Sequence, residues 1–214
     1  MSSAGRVGLT AREEGTDMTV NATITQSVDG YIAGPDDGPS AGLGIGGERL
    51  HYWVFGGPWS YDDHPDTQAT GEDKAFLDEA MARGGASVCG RWMYEAAGHW
   101  GDENPWGMPV FVVTHRPEEQ PAGGAFTFVD GVDQAVAMAV EAAGDKDVSI
   151  AGGADLIRQA LAAGLVDELI IITAPVVLGG GKRLFDGFTQ TVDLEHVGVR
   201  QSPYATFVSY RVKR

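Results

Sequence analysis

The chain has 214 residues, 43% of them hydrophobic, enough for one α/β domain that buries roughly 70% of its unfolded surface. Thirty Asp and Glu against 15 Lys and Arg give a formal charge of −15, a field that repels nucleic acid and anionic membrane, so an anionic ligand needs a local basic pocket. No apolar run approaches the ~20 residues of a bilayer span, and a single cysteine, Cys89, excludes an intrachain disulfide. Both facts point to the cytoplasm.

Residues 1–17 are polar and aperiodic and read as a disordered leader, with Met18 a candidate start and residues 18–214 forming the domain. Thr19 to Ser27 alternates, Val20, Ala22 and Ile24 against Asn21, Thr23 and Thr25, which predicts a strand between two different environments. Asp29-Gly30 turns the chain into Tyr31-Ile32-Ala33. Gly34 to Gly47 holds six glycines and two prolines, a flexible loop of the kind that covers ligands. Glu48 to Phe55 predicts a short helix. The next irregular stretch carries Trp59, Tyr61, Asp62, Asp63, His64 and Asp66, either a pocket lining or a solvated loop.

Thr70 to Asp73 resembles a capping box, and Phe76, Leu77, Ala80 and Met81 recur at helical spacing, so a helix packs here on the sheet. Ala86 to Cys89 is a short strand that enters the helix Trp92 to Ala97 through Gly90-Arg91. The run PVFVVT, Pro109 to Thr114, predicts a strand covered on both faces, left through His115-Arg116-Pro117. Ala125 to Val129 is strand-like, and Val132 to Ala143 is helical with Ala135, Val136, Ala139 and Val140 inward. Val148 to Ala151 then turns through Gly152-Gly153 directly into a helix. Asp167 to Leu178 is the strongest strand signal and Gly179-Gly180-Gly181 breaks it. Thr191 to Val199 and Ala205 to Val212 close the sheet as an antiparallel pair. The order predicts an α/β sheet, mainly parallel, with ligands at the C-terminal ends of its strands.

Three such ends carry suggestive residues: Gly90-Arg91, Thr114-His115-Arg116 and Ala151-Gly152-Gly153. A strand that turns tightly into a helix presents backbone N–H groups beside the positive end of the helix dipole, a seat for phosphate. The same glycines also suit a tight turn with no ligand, and the two arginines suit pairing with abundant carboxylates. Taken together, the three ends fit a pyrophosphate plus one further phosphate. Asp29 is either a substrate-side contact or only the residue that makes its turn. Lys182 and Arg183, after the glycine run, either meet a phosphate or are solvated. Metal binding is not expected: one cysteine and five scattered histidines show no ligand spacing.

On these residues the chain resembles the dihydrofolate reductase fold family, more closely the branch containing the reductase C-terminal domain of the bifunctional riboflavin-biosynthesis deaminase/reductase. The carriers are Ser27-Val-Asp-Gly30, Gly90-Arg-Trp-Met-Tyr-Glu95, Val113-Thr-His-Arg-Pro117, Ile150-Ala-Gly-Gly153 and Ala174-Pro-Val-Val-Leu-Gly-Gly-Gly181, with Leu184-Phe185. The resemblance implies a three-layer α/β/α fold and an NADPH-dependent reductase that passes hydride to a C=N or C=O bond of a small metabolite. The named activity nearest to it is 5-amino-6-(5-phosphoribosylamino)uracil reduction. By the same resemblance Ile150, Ala151, Gly152, Gly153, Ala154, Asp155 and Leu156 hold the pyrophosphate, and Gly90, Arg91 and Met93 form a second phosphate-side turn. Thr114, His115 and Arg116 hold the 2′-phosphate, and the backbone of Thr25 and Ile32 the nicotinamide carboxamide, while Asp29 is the catalytic candidate. Met93 stands where these reductases commonly carry threonine, and Tyr31 where the riboflavin-pathway enzymes often have lysine. A homodimer through the late strands is implied too. The short leader leaves no room for a deaminase, so a stand-alone reductase is expected. A dihydrofolate or pterin reductase, and a nucleotide-binding sensor without turnover, are the alternatives.

Overall fold

The computed structural model describes residues 18–214, so the reading of the leader lies outside the described residues. Its strands are β1 (Val20–Ser27), β2 (Tyr31–Ala33), β3 (Gly84–Gly90), β4 (Val110–Val113), β5 (Thr127–Val129), β6 (Asp147–Gly152), β7 (Glu168–Ala174), β8 (Lys182–Arg183), β9 (Leu194–Gln201) and β10 (Thr206–Val212). The helices are α1 (Tyr52–Phe55), entered from a 3₁₀ turn over Gly47–His51, then α2 (Gly71–Arg83), α3 (Arg91–Ala96), α4 (Val132–Ala143) and α5 (Ala154–Ala162).

Eight strands form one sheet in the order β5-β4-β3-β6-β1-β7-β10-β9. The pairs from β5 through β7 are parallel, and β10 and β9 join antiparallel. β2 and β8 make a separate two-stranded ribbon. This is the mainly parallel α/β sheet with an antiparallel C-terminal end that the order of elements predicts.

Alternation decides which face of each strand is buried. Val20 and Ala22 of β1, Val88 of β3, Val148 and Ile150 of β6, and Leu169 and Ile171 of β7 share one core with α4 and α5. Ile170 and Ile172 of β7 face the other way, packing with Trp53 of α1 and Phe207 of β10, and against Phe76 and Leu77 of α2. The continuous apolar run of β7 therefore serves two layers, as a strand covered on both faces must. At roughly 1.5–3 kcal/mol per fully buried aliphatic or aromatic side chain, the α4/α5 face supplies most of the stability. The opposite face of β1, β3 and β6 is left to small residues.

Two departures from expectation have identifiable reasons. β7 ends at Ala174 because Pro175 has no N–H for a ladder; the chain peels away there, with Val176 N–H donating to the Ala174 carbonyl at 2.8 Å. Thr70 stands at the start of α2 without a side-chain capping bond, so no capping box forms.

Candidate active site

β1 pairs with β6 only as far as Ala22 opposite Ile150, but with β7 as far as Ser27 opposite Ala174. Beyond Ala22, β1 keeps one neighbour, and the sheet splits between β1 and β6. A cleft of about 1400 Å3 opens at this split. Its floor is the face that alternation leaves to small side chains: Thr23 and Thr25 of β1, Ser87 of β3, and Ser149 and Ala151 of β6. Ser87 Oγ donates to the Ser149 carbonyl at 3.2 Å, which ties β3 to β6 beneath the opening. Crevices beyond the carboxyl ends of parallel strands, where the sheet divides, are where open α/β sheets take ligands.

The three predicted strand ends do meet at this cleft. Gly90, Arg91, Met93, Thr114, His115, Arg116, Ala151, Gly153, Ala154, Asp155 and Leu156 line it, as do Thr25 and Ile32. Ile150 does not, since its side chain is fully buried in the α4/α5 core. Gly152 does not line it either; its φ of +121° suits glycine, and a Cβ there would lie 3.2 Å from Ile24 Cδ1. Gly153 is different. A Cβ on it would meet nothing within 4 Å, so packing does not require glycine here, and the backbone is open to the close approach of a ligand. No side chain caps α5 at its Gly153 end. An open approach over an uncapped helix start fits a pyrophosphate.

Both arginines are engaged. Arg91 Nε donates to Glu95 Oε1 at 2.7 Å and its Nη2 to Glu119 Oε2 at 2.9 Å. Arg116 Nη1 donates to Glu119 Oε1 at 3.0 Å. Arg91 also lies over the Phe128 ring at 4.7 Å, and its Nη1 is buried without a partner. Burial would pull the Arg91 pKa down, but the carboxylates of Glu95 and Glu119 outweigh it and hold the guanidinium charged. Thr114 uses its hydroxyl to accept the Arg116 N–H at 3.1 Å. His115 is 94% exposed at the rim, 3.3 Å from Asp130.

Of the two readings of Asp29, the hydrogen bonds favour the turn. Its carboxylate accepts the N–H groups of Leu178 at 3.0 Å and Gly179 at 2.8 Å, and the Ser27 hydroxyl at 2.7 Å. The Ser27 hydroxyl foremost, then the two backbone donors, hold its pKa near 2 against the cost of desolvation. It is absent from the cleft lining and ionised near neutrality, and these bonds make it a latch between the β1 turn and the glycine run. Lys182 and Arg183 are exposed, yet each has a partner. Lys182 pairs with Asp37 at 2.6 Å and lies over Trp92 at 4.2 Å, while Arg183 covers Tyr31 at 4.7 Å. Gly181 lets this ribbon close, since a Cβ on it would strike the Ala33 carbonyl.

The other end of the cleft is aromatic, and only part of it was legible in the sequence. Trp53 Nε1 donates to Thr25 Oγ1 at 3.1 Å. Trp59 stacks on His64 at 4.8 Å and meets Phe55 and Tyr61 edge-on at 5.0 and 5.3 Å. Trp59 Nε1 is buried without a partner. The Tyr61 hydroxyl accepts the Leu43 N–H at 2.8 Å, and burial raises its pKa, so it keeps its proton. His51 also lines the cleft; burial pushes its imidazole down to about 4, so it is neutral at physiological pH. His51 and Trp53 sit on the short helix with no motif around them, so only the tertiary structure singles them out. Asp62, Asp63 and Asp66 are exposed, and His99 stacks on Tyr94 away from the lining. Burial pushes the Cys89 thiol up to about 12, which leaves it inert. Among the described residues no group of three His, Cys, Asp or Glu side chains is placed to hold a metal, and no helix is long and apolar enough to cross a membrane.

A divided, mainly parallel sheet with an antiparallel C-terminal pair and a cleft at the division defines a dihydrofolate reductase-like reductase fold. The chain belongs to the RibD C-terminal domain family, whose profile matches residues 18–206. It is similar to a proposed riboflavin biosynthesis protein of Shewanella sp. PV-4, 25% identical with a TM-score of 0.67 over 92% of this chain and 100% of that one. Dihydrofolate reductase of Enterococcus faecalis, complexed with NADP(H), shares the fold at 17% identity and a TM-score of 0.58, over 92% and 97% of the two chains. The deaminase/reductase of Thermotoga maritima does so at 14% identity and 0.57, and this chain spans 57% of its length. Two uncharacterized Bacillus subtilis proteins also match in part. YyaP is 46% identical over 55 residues, 26% of this chain and 29% of that protein. YwjB is 32% identical over 84 residues, 39% of this chain and about half, 48%, of that protein.

Proposed function

We propose that the protein is a cytoplasmic NADPH-dependent reductase that passes hydride to a C=N or C=O bond of a small heterocyclic metabolite, the reaction class of the pyrimidine reductases of riboflavin synthesis. The observation that carries this reading is the single cleft onto which the ends of β3, β4 and β6 and the open edge of β1 all converge. Gly153 and the uncapped start of α5 would receive the pyrophosphate, and Thr114, His115 and Arg116 the 2′-phosphate, with Arg91 of the second phosphate-side turn brought beside Arg116 through Glu119. The backbone of Thr25 and Ile32 would hold the carboxamide. When bound there, the reduced nicotinamide supplies the hydride.

The remaining work falls to this chain's own groups: orientation, exclusion of water and delivery of a proton. Trp53 fixes the Thr25 hydroxyl, so the floor at the reacting end is rigid. Tyr61, protonated, and Trp59 Nε1, without a partner, are hydrogen-bond donors at the aromatic end. Donors in an aromatic wall suit a planar ring that carries carbonyl or imine acceptors. That wall also favours a second reading, a pterin or dihydrofolate reductase. A second copy of the chain, docking on the edge strand β9 where Val197 and Val199 are 52% and 56% exposed, completes the proposal as a homodimer.

The test is to titrate NADPH and NADH and then follow the absorbance of the reduced nicotinamide with ribosylaminouracil phosphate, dihydropterin, dihydrofolate and simple imine and ketone acceptors. Oxidation by the ribosylaminouracil supports the first reading, and by dihydrofolate or dihydropterin the second. Nucleotide binding with no oxidation by any acceptor supports a sensor instead.

A further inference from the structure

The charged end of the cleft already contains an anion of its own. Glu119 gives one carboxylate oxygen to each arginine, Oε2 to Arg91 at 2.9 Å and Oε1 to Arg116 at 3.0 Å. Glu95 holds Arg91 from the side through Nε at 2.7 Å and stands 3.8 Å from Arg116 Nη2. Two guanidinium groups and two carboxylates leave this corner with no net charge.

The two glutamates are not equivalent. Glu95 is anchored on α3, one helical turn from Arg91, and its side chain is 28% exposed. Glu119 ends the 3₁₀ turn Pro117–Glu119, and its side chain is 40% exposed. Exposed pairs of this kind bind weakly and are screened by salt. Arg91, by contrast, is held over Phe128 at 4.7 Å, with its buried Nη1 still lacking an acceptor. So the guanidinium of Arg91 is fixed, and Glu119 is the part that can leave.

Resting on the nucleotide-binding reading above, we propose that Glu119 is a specificity-determining residue: its carboxylate occupies the place of the 2′-phosphate and must be displaced by NADPH but not by NADH. A phosphate dianion has three terminal oxygens. It can take both arginines through separate oxygens and still carry a third acceptor and a second charge, which a single carboxylate does not offer. Displacement uses up part of the affinity that the two arginines provide, so the wild-type chain discriminates between the nucleotides less than its arginine pair allows.

The experiment measures equilibrium affinities of the full chain for NADPH and NADH, by quenching of its tryptophan fluorescence, with Glu119→Gln and, as a control, Glu118→Gln. Glu118 is exposed on the same turn and pairs with neither arginine. Glu119→Gln is expected to tighten NADPH about fivefold and leave NADH within about twofold, and Glu118→Gln to change neither. An unchanged or reduced NADPH to NADH preference in Glu119→Gln overturns the proposal, since Glu119 then merely orients the arginines. Equal tightening by both variants also overturns it, in favour of a general relief of negative charge. If the wild type binds neither nucleotide, the nucleotide-binding reading itself fails and the proposal with it. If it binds both and the variants are silent, only the proposal fails.

Discussion

The two ends of the cleft are built on opposite principles. At the β3/β4 end, charged side chains satisfy one another, Arg91 and Arg116 with Glu95 and Glu119; recognition there means exchanging one anion for another. At the β1/α1 end, rings from Trp53, Phe55, Trp59, Tyr61 and His64 set a shape, with neutral donors inside it; recognition there means filling a preformed space. Partner exchange near the surface costs little and responds to salt. Of these rings Trp53 belongs to the packed core, so a change to it is felt there.

That contrast predicts where substitution hurts most. Trp53 is 5% exposed, packs against Phe207 and Phe76 at 5.2 and 5.8 Å, and anchors Thr25. Trp53→Ala is expected to lose about 3–5 kcal/mol of stability in urea unfolding, and Trp53→Phe much less. A small loss for the alanine variant would mean that the aromatic end is not continuous with the core.

At the charged end the expected effect is on affinity instead. Arg116, 54% exposed, should be removable at little cost to folding, while Arg116→Ala weakens NADPH about tenfold more than NADH. Equal loss for the two nucleotides removes Arg116 from the 2′-phosphate.

A pH titration separates the ends more finely. His51 is held neutral by burial with a folded pKa of about 4 against the usual 6.5. The unfolded chain takes up the proton first, so the stability due to neutral His51 is complete above pH 6.5 and is lost as pH falls toward 4. The loss is on the order of 3 kcal/mol, read as a fall in Tm that His51→Gln abolishes. Asp29 titrates lower. With a folded pKa near 2 against 3.8, its contribution is present above about pH 4 and disappears between 4 and 2. This smallest effect should vanish from the acid limb of the Tm profile in Asp29→Asn, with the rate constants at neutral pH little changed; a large loss of turnover would return Asp29 to the reaction.

Much of the fold was legible in local patterns. The alternation of VNATITQS separates the core face of β1 from the cleft floor, and the apolar run PVFVVT announces a strand covered on both faces, as β4 is, with Phe111 in one core cluster and Val110 and Val112 in another. The convergence of Gly90-Arg91, Thr114-His115-Arg116 and Gly153 follows from parallel strands ending on one edge. The partners of those residues were not legible. Asp29 meets the backbone of Leu178 and Gly179 across almost 150 positions of chain, and Glu119 meets Arg91 across 28. Nothing in the composition of a chain with 30 acidic residues tells which carboxylate each arginine chooses.

By itself, then, the sequence determined the periodic properties: strand and helix type, which face of each is apolar, and which strand ends carry glycine or basic residues. These follow from side-chain periods of 2 and 3.6, which are local. The tertiary structure alone decided the split between β1 and β6, the ionisation of Asp29 and His51, and the pairing of Glu119 with two arginines. Hydrogen bonding, desolvation and Coulomb attraction depend on distance in space, and that distance exists only once the sheet has assembled.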